Sequence, residues 1–147
     1  MEKLKLDFEI LPSGAFGNNL RTALSKKAWD FIRNDAYLRA DGKCSICGRK
    51  VNRLEAHERW SFDKENGVQK LDDVIAICHS CHQVIHIGRT QVIGQEDNAI
   101  KHFKRVNGCD YQGYISALKT ANEKNLELST VGEWSLDLTW LERFVKE

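Results

Sequence analysis

Residues 78–86, CHSCHQVIH, place two cysteines and three histidines within nine positions. This density of metal-binding side chains is compatible with a buried helix, with one zinc site, or with two metal sites that share a segment. A second C-x-x-C pair, Cys44 and Cys47, lies upstream of Cys78 and Cys81. Structural zinc prefers tetrahedral thiolate coordination, and each tight C-x-x-C turn supplies two sulfurs. The four cysteines therefore predict one structural Zn²⁺ ion.

The spacing between the two cysteine pairs bears on the fold that separates them. Thirty residues lie between Cys47 and Cys78, which is more than a small zinc ribbon uses and enough for a hairpin. Two thioredoxin-like redox motifs are the competing interpretation, but neither pair opens a helix in a βαβ setting. Cys109 remains outside the pairs, and we expect it to be a small buried side chain or an idle thiol.

The histidines suggest a second metal site on the same segment. His82 and His86 are four residues apart, so a helix would place both imidazoles on one face. Cys81 lies about 100° around that helix from His82, so the helix can serve zinc on one side and a second metal on another. His57 precedes a predicted turn and can fold back against the helix. The alternatives are that His82 and His86 are hydrogen-bonded surface residues, or that one of them replaces a cysteine as a zinc ligand.

Two further histidines carry no metal prediction. His79 lies within the C-x-x-C turn formed by Cys78 and Cys81, and we expect it to face solvent. His102 lies in the segment KHFKRV, and we expect it to belong to a solvated basic face.

Length and composition limit the class of protein. The chain has 147 residues, 41% hydrophobic and 29% charged, which is typical of one globular domain over residues 1–147. No apolar run approaches the roughly 20 residues of a membrane span, and MEKLKLDFEI has no secretory apolar segment. We therefore expect a cytoplasmic protein, in which disulfides are rare. The net charge of +1 argues against a uniformly basic nucleic-acid binder.

The hydrophobic pattern predicts an α+β fold. Residues 3–10, KLKLDFEI, alternate polar and apolar and predict a short N-terminal strand. Asn18 or Asn19 and then Ser25 are candidate helix caps. The remaining predicted elements are strands over 53–62 and 68–77, a helix over 78–87 closed by Gly88, a loop over 88–95, helices over 96–106 and 111–126, and a tail that is first strand-like and then helical.

Four motifs stand in a fixed order in the middle of the chain. They are C-x-x-C at 44–47, LEAHE at 54–58, DVIAIC at 73–78 and CHQVIH at 81–86. Together they resemble the HNH endonuclease motif, the ββα-metal nuclease unit, in the version braced by a four-cysteine zinc. The segments AFGNNLR, HERW and WSLDLTWL extend the resemblance to a group of poorly characterised HNH proteins. The resemblance implies a zinc-braced core over 44–88, with flanking elements over 1–43 and 89–147.

The resemblance also implies an activity and a set of roles. The family hydrolyses DNA phosphodiester bonds, and His57 matches its general base. His82 and His86 match the ligands of a second divalent metal, which would be Mg²⁺, Mn²⁺, Ni²⁺ or Zn²⁺. Asp73 stands where the family has an asparagine that orients the histidine. These roles are chemically sensible, because a near-neutral imidazole suits a base at pH 7 and a cation offsets charge on phosphate.

One departure from the family pattern leaves alternatives open. Family members carry Asp or His just before the base as a further metal ligand, whereas this chain has Ala56, which cannot coordinate a metal. A different register makes His57 the ligand and puts Glu58 in the base position. The altered set is also compatible with a catalytically weakened, zinc-braced DNA-binding module, or with a protein-interaction scaffold. The sequence identifies no protein partner.

Contacts to DNA are expected mainly with its backbone. One group of basic residues lies around the C-x-x-C turn at 44–47 and the first predicted strand of the central hairpin: Arg49, Lys50, Arg53 and Arg59. A second group lies on one predicted helix: Lys101, Lys104 and Arg105. They are either solvated surface charge or a phosphate-gripping groove with strong salt dependence. No segment resembles a base-reading element, so we expect little sequence specificity. Trp60, Trp134 and Trp140 are expected to lie in the core.

Overall fold

The computed structural model describes residues 3–145, and it has a mixed α+β architecture with a three-stranded sheet. Among these residues, no helix combines the length and the apolar character that crossing a membrane requires. The regular elements are α1 (Leu20–Ala23), α2 (Lys26–Ala40), β1 (Glu55–Asp63), β2 (Val68–Ile77), α3 (His79–Ile85), α4 (Ile87–Val92), α5 (Glu96–Asn107), α6 (Tyr111–Leu128) and β3 (Ser135–Asp137), with short 3₁₀ helices at Ser13–Ala15 and Thr139–Phe144.

A β-hairpin forms the centre of the molecule. Strands β1 and β2 pair antiparallel, from Glu55 opposite Ile77 to Asp63 opposite Val68. The turn is closed by the Asp63 carboxylate, which accepts the backbone N–H of Asn66. Both strand predictions are confirmed. Because β3 pairs with β2 in parallel, β1 is left as an edge strand with one open side.

Each face of the hairpin packs against helices. Trp29, Ile32 and Ala36 of α2 pack against Leu71, Val74 and Ala76 of β2. The alternate β2 residues, Ile75 and Ile77, pack with α3, α5 and α6 in a second cluster. Side chains that alternate along a strand point to opposite faces, and both faces of β2 are apolar near its end. The hairpin therefore fixes α2 on one side and α3 on the other.

The segment after α3 is helical rather than a loop. The prediction of a loop over 88–95 is wrong, because α4 occupies Ile87–Val92. The Thr90 hydroxyl donates to the carbonyl oxygens of Gln83 and His86, at 2.6 and 3.2 Å. These bonds satisfy carbonyl groups at the end of α3, so the chain bends at His86 and re-enters a helix. Gly88 lies inside α4 and does not terminate the helix.

The N-terminal segment is buried as predicted but is not a strand. Leu6 and Phe8 are buried, in agreement with the alternation. The backbone N–H groups of Lys5 and Leu6 donate to Asn107 Oδ1, both at 3.0 Å, and Asn107 Nδ2 donates to the Leu6 carbonyl at 2.8 Å. A side chain at the end of α5 thus takes the bonds that a neighbouring strand would supply. The prediction of a strand over 3–10 is therefore wrong.

We expect Asn107→Ala to destabilise the protein by about 1–3 kcal/mol, because three hydrogen bonds are lost and buried backbone groups are left unpaired. Urea unfolding measures this free energy. Asn98→Ala is the matched control, because Asn98 is exposed on the same helix and bonds only locally to Gln95. Equal stability of the two variants would contradict the clamping role of Asn107.

Candidate functional site

Cys44, Cys47, Cys78 and Cys81 converge as predicted, and their sulfur atoms lie within 4.8 Å of one another. The Sγ atoms of Cys44 and Cys81 are 3.7 Å apart, and those of Cys47 and Cys78 are 3.8 Å apart. Tetrahedral coordination with Zn–S bonds of about 2.3 Å requires sulfur separations of about 3.8 Å. The four cysteines are therefore positioned for a metal ion, and their geometry fits structural zinc.

The electrostatics of the cysteine cluster favour a cation once all four thiols are ionised. Three of the four thiols are nearly fully buried: Cys44, Cys78 and Cys81. The hydrogen bond between Cys44 and Cys81 lowers the pKa of Cys44 to about 4. The same bond and burial raise the pKa of Cys81, and burial raises the pKa of Cys78. Four thiolates can coexist in this space only when a bound cation offsets their repulsion.

His102 lies beside the cysteine cluster, so the prediction that it faces solvent is wrong. It is 5% exposed, and its Nε2 is 3.2 Å from Cys81 Sγ. Burial and the nearby charges of Arg49 and Arg105 lower the pKa of His102, so the ring is neutral at pH 7. The sequence carries a signal for this burial, because His102 lies on the same apolar face of the helix as Ala99 and Phe103. In the tautomer that carries its proton on Nε2, the His102 ring donates this hydrogen bond to the Cys81 sulfur.

His57, His82 and His86 form a second cluster. One nitrogen from each ring lies within 4.8 Å of the others, and the ring centroids are 4.7 to 5.4 Å apart. Strand β1 supplies His57, whereas α3 and its C-cap supply His82 and His86. Burial lowers the pKa of His82, and burial with the neighbouring histidines lowers the pKa of His86 to about 4. Both rings are neutral at pH 7, which metal coordination requires.

Two carboxylates hold the histidines. Glu55 contacts Nδ1 of His82 at 2.7 Å and Nδ1 of the exposed His79 at 3.0 Å. Glu9 contacts Nε2 of His57 at 2.9 Å. Burial opposes ionisation of Glu9 and Glu55, but their histidine contacts outweigh it and lower the pKa of each carboxyl. Glu9 accepts a ring N–H from His57, and Glu55 accepts ring N–H groups from His82 and His79. The other ring nitrogen of the neutral His82 is left with its lone pair.

Neither Glu9 nor Glu55 was predicted from the sequence as a site residue. Glu55 carried a usable signal, because it precedes His57 by two residues and shares its face of β1. Glu9 carried none, since it is 48 residues from His57 and reaches it only through the docking of the N-terminal segment. Arg59, expected among the DNA contacts, instead donates to Glu9, with its NH2 at 3.2 Å from Oε2.

Among residues 3–145, neither Glu58 nor Asp73 makes a hydrogen bond to a histidine, although Glu58 lines a cavity together with the three clustered histidines. Glu58 follows His57 on the strand, so it leaves the opposite face, and its carboxylate accepts the Leu20 N–H at 3.0 Å. Burial raises the pKa of Glu58. Asp73 accepts the Val74 N–H at 2.8 Å, and within residues 3–145 it makes no hydrogen bond to a histidine. Glu9, rather than Asp73, contacts the His57 ring.

Two cavities meet at the histidine cluster. The first, termed the apolar cavity, has a volume of about 390 Å³ and includes the three clustered histidines with Phe8, Trp60 and Leu128 in its lining. The second, termed the basic cleft, has a volume of about 890 Å³ and is lined by Arg21, Lys26, Arg33 and Arg53 beside His82. Ala56, Trp29, Arg21 and His82 line both. Of the four cations in the basic cleft, only Arg53 was among the candidate phosphate contacts that the sequence predicted.

No protein-family model, curated protein or solved structure matches this chain. The chemistry available to the site follows from its own side chains. Helix α3 carries a thiolate of one cluster, Cys81, next to an imidazole of the other, His82. The thiolates suit a structural ion, whereas the neutral imidazoles beside two cavities suit an ion that a ligand can reach.

We expect His102→Ala to weaken metal binding at the four cysteines by roughly 10- to 100-fold, the usual effect of losing a hydrogen bond to a metal ligand. Competition with a chromophoric chelator measures the affinity. Lys101→Ala is the control, because Lys101 is exposed on the same helix. Unchanged affinity in the His102 variant would exclude a supporting role for its N–H.

Proposed function

We propose that the protein is a metal-dependent endonuclease of the HNH type, which hydrolyses DNA phosphodiester bonds. The observation that carries the proposal is the convergence of His57, His82 and His86 in the lining of the apolar cavity, where His82 also lines the basic cleft. The resemblance of the LEAHE and CHQVIH motifs to the family supports the same assignment.

In this proposal the four cysteines bind structural Zn²⁺. The sulfur spacing of 3.7 and 3.8 Å supports zinc. Such an ion would link the turn that carries Cys44 and Cys47, before β1, to the first turn of α3. Since α3 carries His82, the ion would also set the position of the histidines relative to the hairpin.

A second divalent metal would be held by His82 and His86. When bound, it would offset the negative charge that develops on the attacked phosphate. Imidazole ligands suit Ni²⁺ and Zn²⁺ better than Mg²⁺, which prefers oxygen. Of the candidate ions Mg²⁺, Mn²⁺, Ni²⁺ and Zn²⁺, the nitrogen-rich ligand set therefore favours Ni²⁺ and Zn²⁺.

His57 is proposed as the general base. Glu9 accepts the N–H at Nε2, so Nδ1 of His57 is the atom that accepts a proton from the attacking water. The Glu9 carboxylate would stabilise the imidazolium that forms, and Arg59 keeps that carboxylate in place. Glu58 is the weaker candidate, because its carboxylate is engaged with the Leu20 N–H on the other face of β1.

The basic cleft is proposed to hold the DNA backbone. Lys26 and Arg33 both pair with Asp30, so Arg21 and Arg53 carry most of the uncompensated charge toward phosphate. Phosphate contacts of this kind release counterions, and binding therefore weakens steeply with added salt. The cleft lies next to His82, which would bring a bound phosphate to the histidine cluster.

A second candidate function is a DNA-binding module with little or no turnover. The observation that favours it is Ala56, which stands where the family has a metal ligand. Two imidazoles hold a metal more weakly than a complete set of three or four ligands. In this case the basic cleft would retain DNA while the histidine cluster does no chemistry.

We expect elemental analysis of purified protein to find at least one zinc per chain. Cys44→Ser and Cys78→Ser should give insoluble or metal-poor protein, because a tetrahedral site loses a ligand. Cys109→Ser is the control, since Cys109 lies outside the cluster, and it should retain the full zinc content. Well-folded wild-type protein without zinc would contradict the structural site.

We expect the wild type to cleave plasmid DNA in at least one of Mg²⁺, Mn²⁺, Ni²⁺ or Zn²⁺, and His57→Ala to lower the rate by roughly 10²- to 10⁴-fold, as expected for loss of a general base. Lys119→Ala is the control, because Lys119 is exposed on α6 and lines neither cavity. If wild type cuts no better than His57→Ala in every metal, the catalytic assignment is wrong.

The same variants separate the remaining alternatives. A His57→Ala protein that keeps its second metal supports His57 as base, whereas one that loses the metal identifies His57 as a ligand. Salt-sensitive retention of DNA without cleavage identifies the binding module. Absence of both retention and cleavage leaves only the interaction scaffold.

A further inference from the structure

We propose that the apolar cavity receives one unpaired base of the substrate, so that the protein acts on single-stranded DNA. This inference rests on the proposed nuclease function and names the substrate class of the same site. It concerns a cavity for which the sequence provided no motif.

The size and lining of the apolar cavity suit a base. Its volume of about 390 Å³ falls within the range of small-molecule pockets, roughly 300–1,000 Å³. The half-buried Trp60 and Phe62 contribute aromatic surface to the lining, beside the buried Phe8 and Trp29. Unstacked bases are commonly held on aromatic side chains, and such stacking tolerates any base because each has a π-face.

An unpaired acceptor in the cavity lining indicates a polar ligand. Asn125 lines the cavity, and its Oδ1 is buried with no hydrogen-bond partner among residues 3–145. A buried amide oxygen without a donor is unfavourable, and such atoms are uncommon in folded proteins. Every DNA base carries an N–H group that can donate to an amide oxygen. Because the Oδ1 atom is itself enclosed, the Asn125 amide would turn toward the cavity to accept from a base, and it would then select little among the four.

The position of the cavity suits the path of a single strand. Its lining includes the three clustered histidines, so a base inside it would be close to a phosphate at those rings. Ala56 lines both the apolar cavity and the basic cleft, and its small side chain leaves the junction between them open. Lys124 and Arg21 are exposed at the cavity and can contact flanking phosphates. A base paired and stacked in a duplex cannot enter such a cavity.

The test uses strands that differ only in one base. One probe is a nine-unit strand of abasic tetrahydrofuran phosphates with a single central adenine, and the other is fully abasic. Both carry the same charge, so the electrostatic part of binding cancels. Affinity is measured by fluorescence anisotropy with no divalent metal added. We expect the adenine to tighten binding to the wild type by roughly 5- to 150-fold.

A matched pair of variants assigns the effect to the cavity. Asn125→Ala should reduce the gain from adenine several-fold, whereas Asn122→Ala, an exposed asparagine on the same helix, should preserve it. A single strand should also bind more tightly than a duplex of equal length, although the higher charge density of the duplex favours the reverse.

The outcomes separate this inference from the nuclease proposal. Equal affinity of the wild type for the two probes would overturn the base-binding cavity, even if plasmid cleavage is observed. A clear adenine effect without cleavage in any metal would uphold the cavity and remove the nuclease. Because the decisive comparison uses wild-type protein, it does not depend on the folding of a variant.

Discussion

The position of α3 against the hairpin is the constraint on which the rest of the structure depends. The sulfur atoms from the knuckle before β1 and from the first turn of α3 approach to 3.7 and 3.8 Å. Buried thiolates at this distance repel one another. A bound cation would offset that repulsion and join the two segments through the metal–sulfur bonds. The same helix carries His82, so the geometry of the thiolate cluster also determines where the imidazoles lie.

The flanking elements complete the site rather than merely cover the core. The N-terminal segment is clamped by Asn107, and this docking brings Glu9 to His57. Helix α5 places His102 against the Cys81 sulfur. Both clusters thus receive a hydrogen-bonding partner from outside the ββα unit. The proposed site is therefore a property of the whole described chain and not of the central motif alone.

The small, non-coordinating side chain of Ala56 has two consequences for the proposed site. In the proposed HNH nuclease it stands in place of one metal ligand, which favours weak metal binding. It also leaves the basic cleft and the apolar cavity adjoining at His82. A larger ligand at this position would narrow that junction. The proposed preference for an unpaired base gives the small residue a role that a duplex-cutting site would not require.

The sequence alone determined the features that depend on local spacing. Two C-x-x-C pairs, the i,i+4 histidines and the alternation of β1 and β2 predicted the two clusters and the hairpin, because ligand spacing and side-chain direction follow from backbone geometry. Helix caps at Asn19 and Ser25 were equally local. The N-terminal segment shows the limit: alternation predicted its buried residues but not that Asn107 would replace a strand partner.

Tertiary structure alone decided the contacts between distant segments. Glu9 reaches His57, His102 reaches Cys81, and Asn125 reaches the apolar cavity, and no periodicity within 11–18 residues encodes such meetings. The charge of Arg59 was visible in the sequence, but its pairing with Glu9 was not. Local pattern specifies which face a side chain occupies, whereas packing of separate elements specifies what that face meets.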